Sequence, residues 1–324
     1  MRAPMRIRLV PEQTDWPFLA HSRTVFLGSI AAMVVSLLAL VVIGLNYGID
    51  FRGGTSIRTQ SMVPVDVGAY RQAVAPLDLG DVSITEVFDP TFAADQHVAV
   101  VRIAVQKGDE AIAVQRVREV QDALRVIDPA MTFPLVESVG PKVSGELVKK
   151  AIYAVLAAIG VVLFYIWVRF EWQFSLGAVA ALVHDVVLTI GVFCILQIKF
   201  DLAIIAALLT IVGYSLNDTV VVFDRVRENL RKYKKPALKD VLNRSLNDTL
   251  SRTVMTSVTT FLALLALFVF GGDVIRGFVF AMMWGVVVGT YSSIFVASFV
   301  LLTLGVKRDW SKPDDKSGTK FMTK

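Results

Sequence analysis

Residues 213–229 read GYSLNDTVVVFDRVREN, and they end a long apolar stretch that covers residues 202–223. A stretch of this length predicts a helix that crosses a bilayer. Asn217 and Asp218 lie side by side inside it. A carboxylate in the middle of a bilayer costs about 2.5–3.5 kcal/mol on insertion scales, and intramembrane charges are usually functional. The sequence therefore predicts that Asp218 is a working residue within a membrane-spanning helix.

The composition of the whole chain is that of a polytopic membrane protein. Its 324 residues are 55% hydrophobic with a mean hydropathy of +0.61, and the apolar residues are concentrated in runs. The formal charge of +5 comes from basic residues beside these runs, which indicates membrane topology rather than nucleic-acid binding. The single cysteine, Cys194, excludes an internal disulfide and a thiolate metal site. No Gly-x-x-x-x-Gly-Lys-Ser/Thr loop is present, so nothing indicates ATP as the energy source, and no cofactor is expected.

Six apolar runs predict six membrane-spanning helices, at residues 25–45, 151–168, 174–196, 202–223, 253–270 and 277–306. A basic tail, residues 1–24, precedes the first run, as it would in a signal peptide. The run is about twice as long as a signal-peptide core, and no small-x-small cleavage site follows it. We therefore interpret the first run as an uncleaved anchor.

The segment between the first two runs, residues 46–147, is water-soluble in character. Alternating and helical periodicities predict four strands and two helices, which in chain order cover residues 56–60, 65–77, 82–89, 97–105, 109–127 and 131–139. The order β-α-β-β-α-β is that of the ferredoxin-like α+β fold. Residues 140–150 are predicted to form a connector into the second span, and residues 148–306 to hold the remaining spans.

Lysine and arginine are dense in four segments that six spans would place on one side of the membrane. These segments are the two tails, residues 1–24 and 307–324, the turn at 169–172 and a predicted basic loop at 225–252. Because short cytoplasmic segments carry an excess of Lys and Arg, this side is predicted to be cytoplasmic. Both termini are then cytoplasmic, and the soluble domain is periplasmic.

A polar face on the fifth span is the first candidate partner for Asp218. Arg252, Thr256, Thr259 and Thr260 follow the spacing i, i+4, i+7, i+8, which places them on one side of a helix. This face is predicted to line water near Asp218, which would then bind a proton under the control of Arg252. The structural alternatives are a static Asp218–Arg252 ion pair, or a carboxylate that reaches the lipid headgroups. Asp224 is predicted to pair with Arg225 or Arg227 at the end of its span.

Other polar residues are expected to support or duplicate this site. Tyr214, Asn217, Thr219 and Thr256 are expected to support the proton site at Asp218. His184 and Asp185 lie near the centre of the third span, where a proton role and a structural role are equally favoured. No serine–histidine, metal-ligand or paired-carboxylate set appears in the soluble segment, so neither an enzyme nor a metal site is predicted.

Several long motifs are similar to those of a known family. They are GYSLNDTVVVFDRVREN at 213–229, GIDFRGGT at 48–55, VGPKVSGEL at 139–147, the His184–Asp185 pair, and SRTVMTSVTTFLALLALFVFGG at 251–272. Together they closely resemble the SecF-type protein translocase subunits of bacteria, in the SecD/SecF family of the RND superfamily. The resemblance implies an RND-type half with six spans and one large periplasmic domain after the first.

The resemblance also implies a function and partners. The expected partners are SecD, the SecYEG channel, YajC, the translocating preprotein, protons and membrane lipids, with no nucleic acid. The family uses the proton-motive force for late, ATP-independent translocation of preproteins across the inner membrane. Carried over to this chain, Asp218 would be the essential proton-binding carboxylate and Arg252 its switching partner. Asp50, Gly53 and Gly54 would belong to the turn between the first span and the periplasmic domain.

Two other classes of function stay open on the residues alone. A proton-coupled RND-type small-molecule exporter half would share the fold, and it would export a substrate without any protein-translocation defect. A structural scaffold would need no charged pair, so neutral substitutions at both Asp218 and Arg252 would be harmless.

Overall fold

A computed structural model describes residue 11 and residues 14–306, apart from 88, 90, 91, 94 and 105–113. The predicted tail at 307–324 and most of the basic tail at 1–24 lie outside the described residues, as does the predicted start of the second domain helix at Asp109. Six described helices are long and apolar enough to cross a membrane, as predicted from the sequence. The first of them is α1 (Ser22–Val42).

A small α+β domain follows α1. It begins with a one-turn helix α2 (Ile49–Arg52) and continues as β1 (Gly54–Ser61), α3 (Val67–Val74), a 3-10 turn (Ala75–Leu77), β2 (Val82–Val87), β3 (His97–Ile103), α4 (Val114–Arg125) and β4 (Thr132–Val139). The sheet order is β2-β3-β1-β4, and each neighbouring pair is antiparallel. This topology confirms the predicted ferredoxin-like arrangement.

The helices α3 and α4 cover one face of this sheet because each has one apolar side. Ile57 and Val101 from the strands meet Tyr70 from α3 and Leu124 from α4 in a fully buried core. Asp66 fixes the start of α3, since its carboxylate accepts the backbone N–H groups of Gly68 and Ala69. The domain therefore has its own core, separate from the membrane bundle.

The five remaining spans follow the domain as α5 (Pro141–Arg169), α6 (Trp172–Leu196), α7 (Leu202–Lys232), α8 (Leu238–Phe270) and α9 (Asp273–Leu304). The bundle end beside the sheet is called the domain end below, and the opposite end, where α7 turns into α8, is called the basic end. Gly272, with φ of 77°, allows the sharp turn between α8 and α9 at the domain end.

Two predicted irregular segments are helical, so those predictions are wrong. The predicted connector at 140–150 forms the first turns of α5, which begins at Pro141, a residue well suited to the first position of a helix. The predicted loop at 225–252 is the end of α7 and the start of α8, joined by residues 233–237. Lysine, arginine and glutamate are good helix formers, so a basic run marks the water phase and not a helix end.

Three helices form the centre of the bundle. The most apolar stretch of α9 is 61% buried, whereas that of α5 is 6% buried, and α6 and α7 resemble α9 in this respect. On α9, the glycines Gly285 and Gly289 lie directly against Ile211 and Ser215 of α7, where a larger side chain would overlap its neighbour. Small residues four apart on α9 therefore let the backbones of α7 and α9 approach closely.

Candidate functional site

Asp218 lies in the interior of the bundle on the inward side of α7. The residue is only 4% exposed, and its Oδ2 atom is buried without a hydrogen-bond partner in the described part of the chain. The hydroxyl of Tyr214, one turn earlier on the same helix, is also buried and unpartnered there. Buried polar atoms are nearly always hydrogen-bonded. Two buried polar atoms without a described partner on one face of α7, Asp218 Oδ2 and the Tyr214 hydroxyl, therefore indicate an unusual site.

The neighbours of Asp218 along α7 divide between the two sides of the helix. Thr219 is buried and donates its hydroxyl to the Ser215 carbonyl oxygen at 3.0 Å. Asn217 is exposed on the other side, since one residue corresponds to about 100° of helical rotation. The structure therefore brings Tyr214 and Thr219 toward the interior with Asp218, and it does not bring Asn217.

Arg252 on α8 lies near Asp218 without touching it. No ion pair joins these two residues, or either of them to another residue in the described part of the chain. The guanidinium nevertheless acts electrostatically on the Asp218 carboxylate. Arg252 is exposed, and it lines a cavity of about 570 Å³ at the basic end. The static ion pair considered from the sequence is therefore not formed.

The polar face of α8 is displaced by one residue from the prediction. Between residues 252 and 260 of α8, the buried hydroxyl residues are Thr253 and Ser257, and Ser257 Oγ lies 2.6 Å from Thr290 Oγ1 on α9. Thr256 is half-buried and donates to the Thr253 carbonyl of its own helix at 2.9 Å. Thr259 is exposed. Arg252, Thr256 and Thr259 lie at the margin of the bundle, because α8 presents residues 253 and 257 to α9.

Asp185 forms the opposite kind of site on α6. Its Oδ2 accepts the hydroxyl of Ser215 on α7 at 2.6 Å and that of Ser292 on α9 at 2.8 Å. Its Oδ1 lies 2.9 Å from Nδ1 of the adjacent His184. Both residues are 1% exposed. Asp185 therefore ties the three central helices together at one level of the bundle.

The same polar layer extends from Asp185 to the first span. The His184 ring stacks on Tyr291 of α9 with 5.9 Å between centroids, and its Nε2 is buried without a described partner. The Tyr291 hydroxyl in turn lies 2.8 Å from the Ser29 hydroxyl on α1. Sequence reasoning missed Ser215 and Ser292, although Ser215 lies within the quoted motif, because serine is common in apolar helices and carries no charge.

At the ends of the bundle, Asp224 pairs with Arg169 of α5 at 3.4 Å, and not with Arg225 or Arg227 as predicted. Arg225 instead holds Glu228 at 2.7 Å and Asp248 of α8 at 2.9 Å. The prediction was wrong because α5 ends beside α7, which the sequence does not reveal.

The segment around Asp50, Gly53 and Gly54 connects the domain to the bundle. Gly53 and Gly54 have φ of 72° and 125°, and a side chain at Gly54 would overlap the Ile103 carbonyl of β3. The Asp50 carboxylate accepts the backbone N–H of Leu202 at 3.0 Å, at the first residue of α7. The start of the domain is thus hydrogen-bonded to the helix that carries Asp218.

Comparison with known proteins gives consistent matches over nearly the whole chain. The profile described as "Protein export membrane protein SecD/SecF, C-terminal" matches residues 119–307, and that described as "SecD/SecF GG Motif" matches residues 38–61. The protein translocase subunit SecF of Cereibacter sphaeroides is 60% identical over 316 residues, 98% of each chain. That of Rhodobacter capsulatus is 58% identical over 315 residues, 95% of each chain.

One solved structure is similar in both fold and sequence. It is the crystal structure of SecDF, a translocon-associated membrane protein from Thermus thermophilus, which matches with a TM-score of 0.81 and 34% identity. The match covers 94% of this chain and 40% of that chain. This chain therefore spans less than half of the SecDF polypeptide.

Proposed function

This chain belongs to the SecD/SecF family as a SecF-type subunit of the Sec translocation accessory complex, and we propose that it uses the proton-motive force to complete preprotein translocation. In this proposal the step is late and needs no ATP. The chain is a multi-pass protein of the inner membrane. We further propose that the basic end and both termini are cytoplasmic and that the α+β domain is periplasmic, which the positive-inside rule supports.

The observation that carries the proposal is the bare carboxylate of Asp218. It is buried in a membrane-spanning helix, its Oδ2 has no partner among the described residues, and Arg252 acts on it from beyond ion-pair distance. Because Oδ2 of Asp218 accepts no hydrogen bond from the described residues, protonation loses no such stabilisation at that atom. The hydroxyl of Tyr214, one turn away on α7, is a second buried polar atom without a partner among the described residues.

In the proposed cycle, a proton from the periplasm neutralises Asp218 and removes its attraction to Arg252. The helices α7 and α8 then shift relative to each other, and release of the proton to the cytoplasm returns them. The contact between Asp50 and the first residue of α7 supports transmission of this shift to the domain. Asp89 of the domain, which lies 3.3 Å from Arg276 of α9, is a second connection of this kind.

The energy available is adequate for one proton per stroke. A charge that crosses the membrane field gains about 2.3 kcal/mol per 100 mV, or about 4–5 kcal/mol at roughly 200 mV. Inverting a two-state equilibrium from 1:99 to 99:1 requires about 5.5 kcal/mol. The proton-motive force is therefore of the right size to move the helices between two arrangements.

The test measures proton-driven translocation in membrane vesicles, with a preprotein arrested after its ATP-dependent stage. Asp218→Asn and Arg252→Gln should each reduce protease-protected product to the level seen with an uncoupler. Asp224→Asn is the matched control, since it makes the same change at the exposed end of the same helix and should leave translocation nearly intact. Undiminished proton-driven translocation in Asp218→Asn would make this mechanism wrong.

We also propose a SecD-type protein as the partner and the SecYEG channel, with YajC, as the larger assembly. Support comes from the SecDF match, because the chain covers 40% of that polypeptide and the remainder is not represented here. Copurification from solubilised membranes tests the pairing. Recovery of a SecD-like protein in constant ratio is expected, and recovery of self-dimers alone would contradict it.

A further inference from the structure

A second charged cavity, distinct from the Asp218 site, lies at the basic end of the bundle. It has a volume of about 510 Å³ and lies between the last turn of α5 and the last turns of α7. Four basic and two acidic side chains line it: Arg169, Arg227, Arg231, Lys232, Asp224 and Glu228. The lining therefore has a surplus of two positive charges.

Both acidic side chains of this cavity already have partners. Asp224 pairs with Arg169 at 3.4 Å, and Glu228 pairs with Arg225 at 2.7 Å. Arg227 and Arg231, in contrast, form no ion pair with a carboxylate in the described residues. The positive surplus therefore comes from Arg227, Arg231 and Lys232, which the ion pairs of the described residues leave without a carboxylate partner.

These two arginines also repel each other. Arg227 is half-buried, and the like charges of Arg231, one turn further along α7, and Arg169 act on it more strongly than the opposite charges of Glu171 and Asp224. Like charges at i and i+4 on one helix are destabilising. An anion between the guanidinium groups would relieve this repulsion, and phosphate oxygens match their fork of donors.

The adjoining cavity near Arg252 provides an internal comparison. It shares Arg169, Asp224 and Glu228 with the α5–α7 cavity. Its charged lining is balanced, with three basic and three acidic side chains: Arg169, Arg225, Arg252, Asp224, Glu228 and Asp248. Positive surplus is therefore a property of the α5–α7 cavity and not of the whole basic end.

The position of the cavity relative to the lipid headgroups indicates which anion reaches it. Trp167 and Trp172 flank Arg169 in sequence, and they are 59% and 53% exposed on the outer surface of the bundle. Exposed tryptophans lie at the headgroup level of a bilayer. The outward face of α5 that leads to Arg169 is apolar, with Phe164 and Val168 exposed on it. A lipid with its tails along this face would have its phosphate at the cavity.

We propose that the α5–α7 cavity binds the phosphate headgroup of an anionic phospholipid, with Arg227 and Arg231 as the principal ligands. The lipid would fill the gap between the ends of α5 and α7 at the basic end. This assignment does not depend on proton transfer at Asp218.

The test is lipid retention by the purified full-length chain in mild detergent, measured by native mass spectrometry with phosphatidylglycerol and with phosphatidylcholine. The wild-type chain should retain phosphatidylglycerol preferentially. Arg227→Gln with Arg231→Gln should weaken that retention by roughly 25-fold, from two basic residues at an anionic surface. The matched control is Lys235→Gln with Lys239→Gln, which removes two charges from the same end outside this cavity and should leave retention close to that of the wild-type chain.

Three further outcomes decide the assignment. Arg227→Lys with Arg231→Lys keeps the charge but loses the paired donors of the guanidinium groups, so it should retain more lipid than the glutamine variant and less than the wild-type chain. A loss equal to that of the glutamine variant would overturn the electrostatic basis. Equal loss in the Lys235/Lys239 control would overturn the site. Displacement of phosphatidylglycerol by millimolar inorganic phosphate would show that a soluble anion is the ligand and overturn the lipid assignment. Helical content by circular dichroism must match wild type in each variant compared.

Discussion

The two buried aspartates of the bundle differ in how their oxygens are satisfied. Asp185 on α6 is surrounded by hydroxyl donors from α7 and α9 and by the adjacent histidine. Asp218 on α7 is nearly as buried, yet its Oδ2 has no described partner. Hydrogen bonds that a carboxylate accepts favour its charged form, so protonation of the carboxylate loses part of their stabilisation.

This difference distinguishes Asp185, whose carboxylate is held by hydrogen bonds, from Asp218, whose Oδ2 has no described partner. Asp185 joins three helices that are distant in sequence, which suits a fixed point in the bundle. Asp218 lies on the neighbouring helix α7, and its Oδ2 accepts no hydrogen bond from the described residues. The hydrogen-bonded carboxylate of Asp185 and the Oδ2 atom of Asp218, which has no described partner, therefore lie on neighbouring helices, and Ser215 on α7 contacts Asp185.

The largest expected loss of stability comes from Asp185→Ala. It removes two interhelical hydrogen bonds and the contact with His184, each worth about 0.6 and at most about 1.7 kcal/mol in a membrane. We expect the free energy of unfolding to fall by about 2–4 kcal/mol. Unfolding in mixed micelles, followed by tryptophan fluorescence, measures it. Thr210→Ala, which removes a bond only to its own helix, is the control and should change little.

An anchor role for Asp185 would be contradicted if Asp185→Ala and Thr210→Ala had the same small effect.

The next largest effect tests the packing that brings Ser215 to Asp185. A Cβ atom at Gly289 would lie 3.1 Å from Cβ of Ser215, so Gly289→Ala pushes α9 from α7 at this point. Such overpacking costs about 1–3 kcal/mol. Gly213→Ala is a matched control on α7, because its added methyl group meets nothing within 4 Å. The same unfolding measurement should show Gly213→Ala to be neutral or slightly stabilising.

If both glycine variants lost stability equally, the close approach of α7 and α9 at Ser215 would not be the cause.

A smaller effect of opposite sign is expected at Asp218. Asp218→Asn removes a buried carboxylate that lacks a partner, so the free energy of unfolding should stay unchanged or rise by up to about 2 kcal/mol. Asp185→Asn makes the same chemical change at the hydrogen-bonded site and should lower it. Measured side by side in mixed micelles, a clear loss of stability in Asp218→Asn would show that its carboxylate is held like that of Asp185.

The smallest effect concerns a hydrogen-bonded aspartate outside the membrane. Asp128 accepts the Ser61 hydroxyl at 2.6 Å and the backbone N–H of Ala130 at 2.9 Å. The Ser61 bond first, and then the Ala130 bond, lower the pKa of Asp128 below its ordinary value of 3.8. A lowered pKa stabilises the domain above that ordinary value, and this contribution is lost as the pH falls through the folded pKa.

Ser61→Ala should therefore raise the Asp128 pKa and move the acid unfolding of the domain to higher pH. An NMR titration of the Asp128 carboxyl in the full chain measures the first, and circular dichroism of the sheet the second. Asp122→Asn, at an exposed ion pair on α4, serves as the control. An unchanged Asp128 titration in Ser61→Ala would exclude the hydroxyl as the cause.

Most of the architecture was predictable because strong constraints act on it. A bilayer requires about 20 apolar residues per span, so the six runs predicted six helices. Period-two alternation and the order of elements predicted the ferredoxin-like domain. The helix ends at 141 and 225–252 were mispredicted because charged residues signal contact with water, and helices continue into water when packing supports them.

The sequence by itself determined that Asp218 is exceptional, since a carboxylate in an apolar run is costly wherever the helix is placed. Only the tertiary structure decided what surrounds it. Asp185 meets Ser215 and Ser292 across 30 and 107 residues of chain, and Asp218 and Arg252 approach without forming an ion pair. Helical periodicity fixes which residues share a face. The rotation of each helix and its offset along the bundle axis depend on packing. These two quantities decide that Asp185 is hydrogen-bonded, whereas Oδ2 of Asp218 has no partner among the described residues.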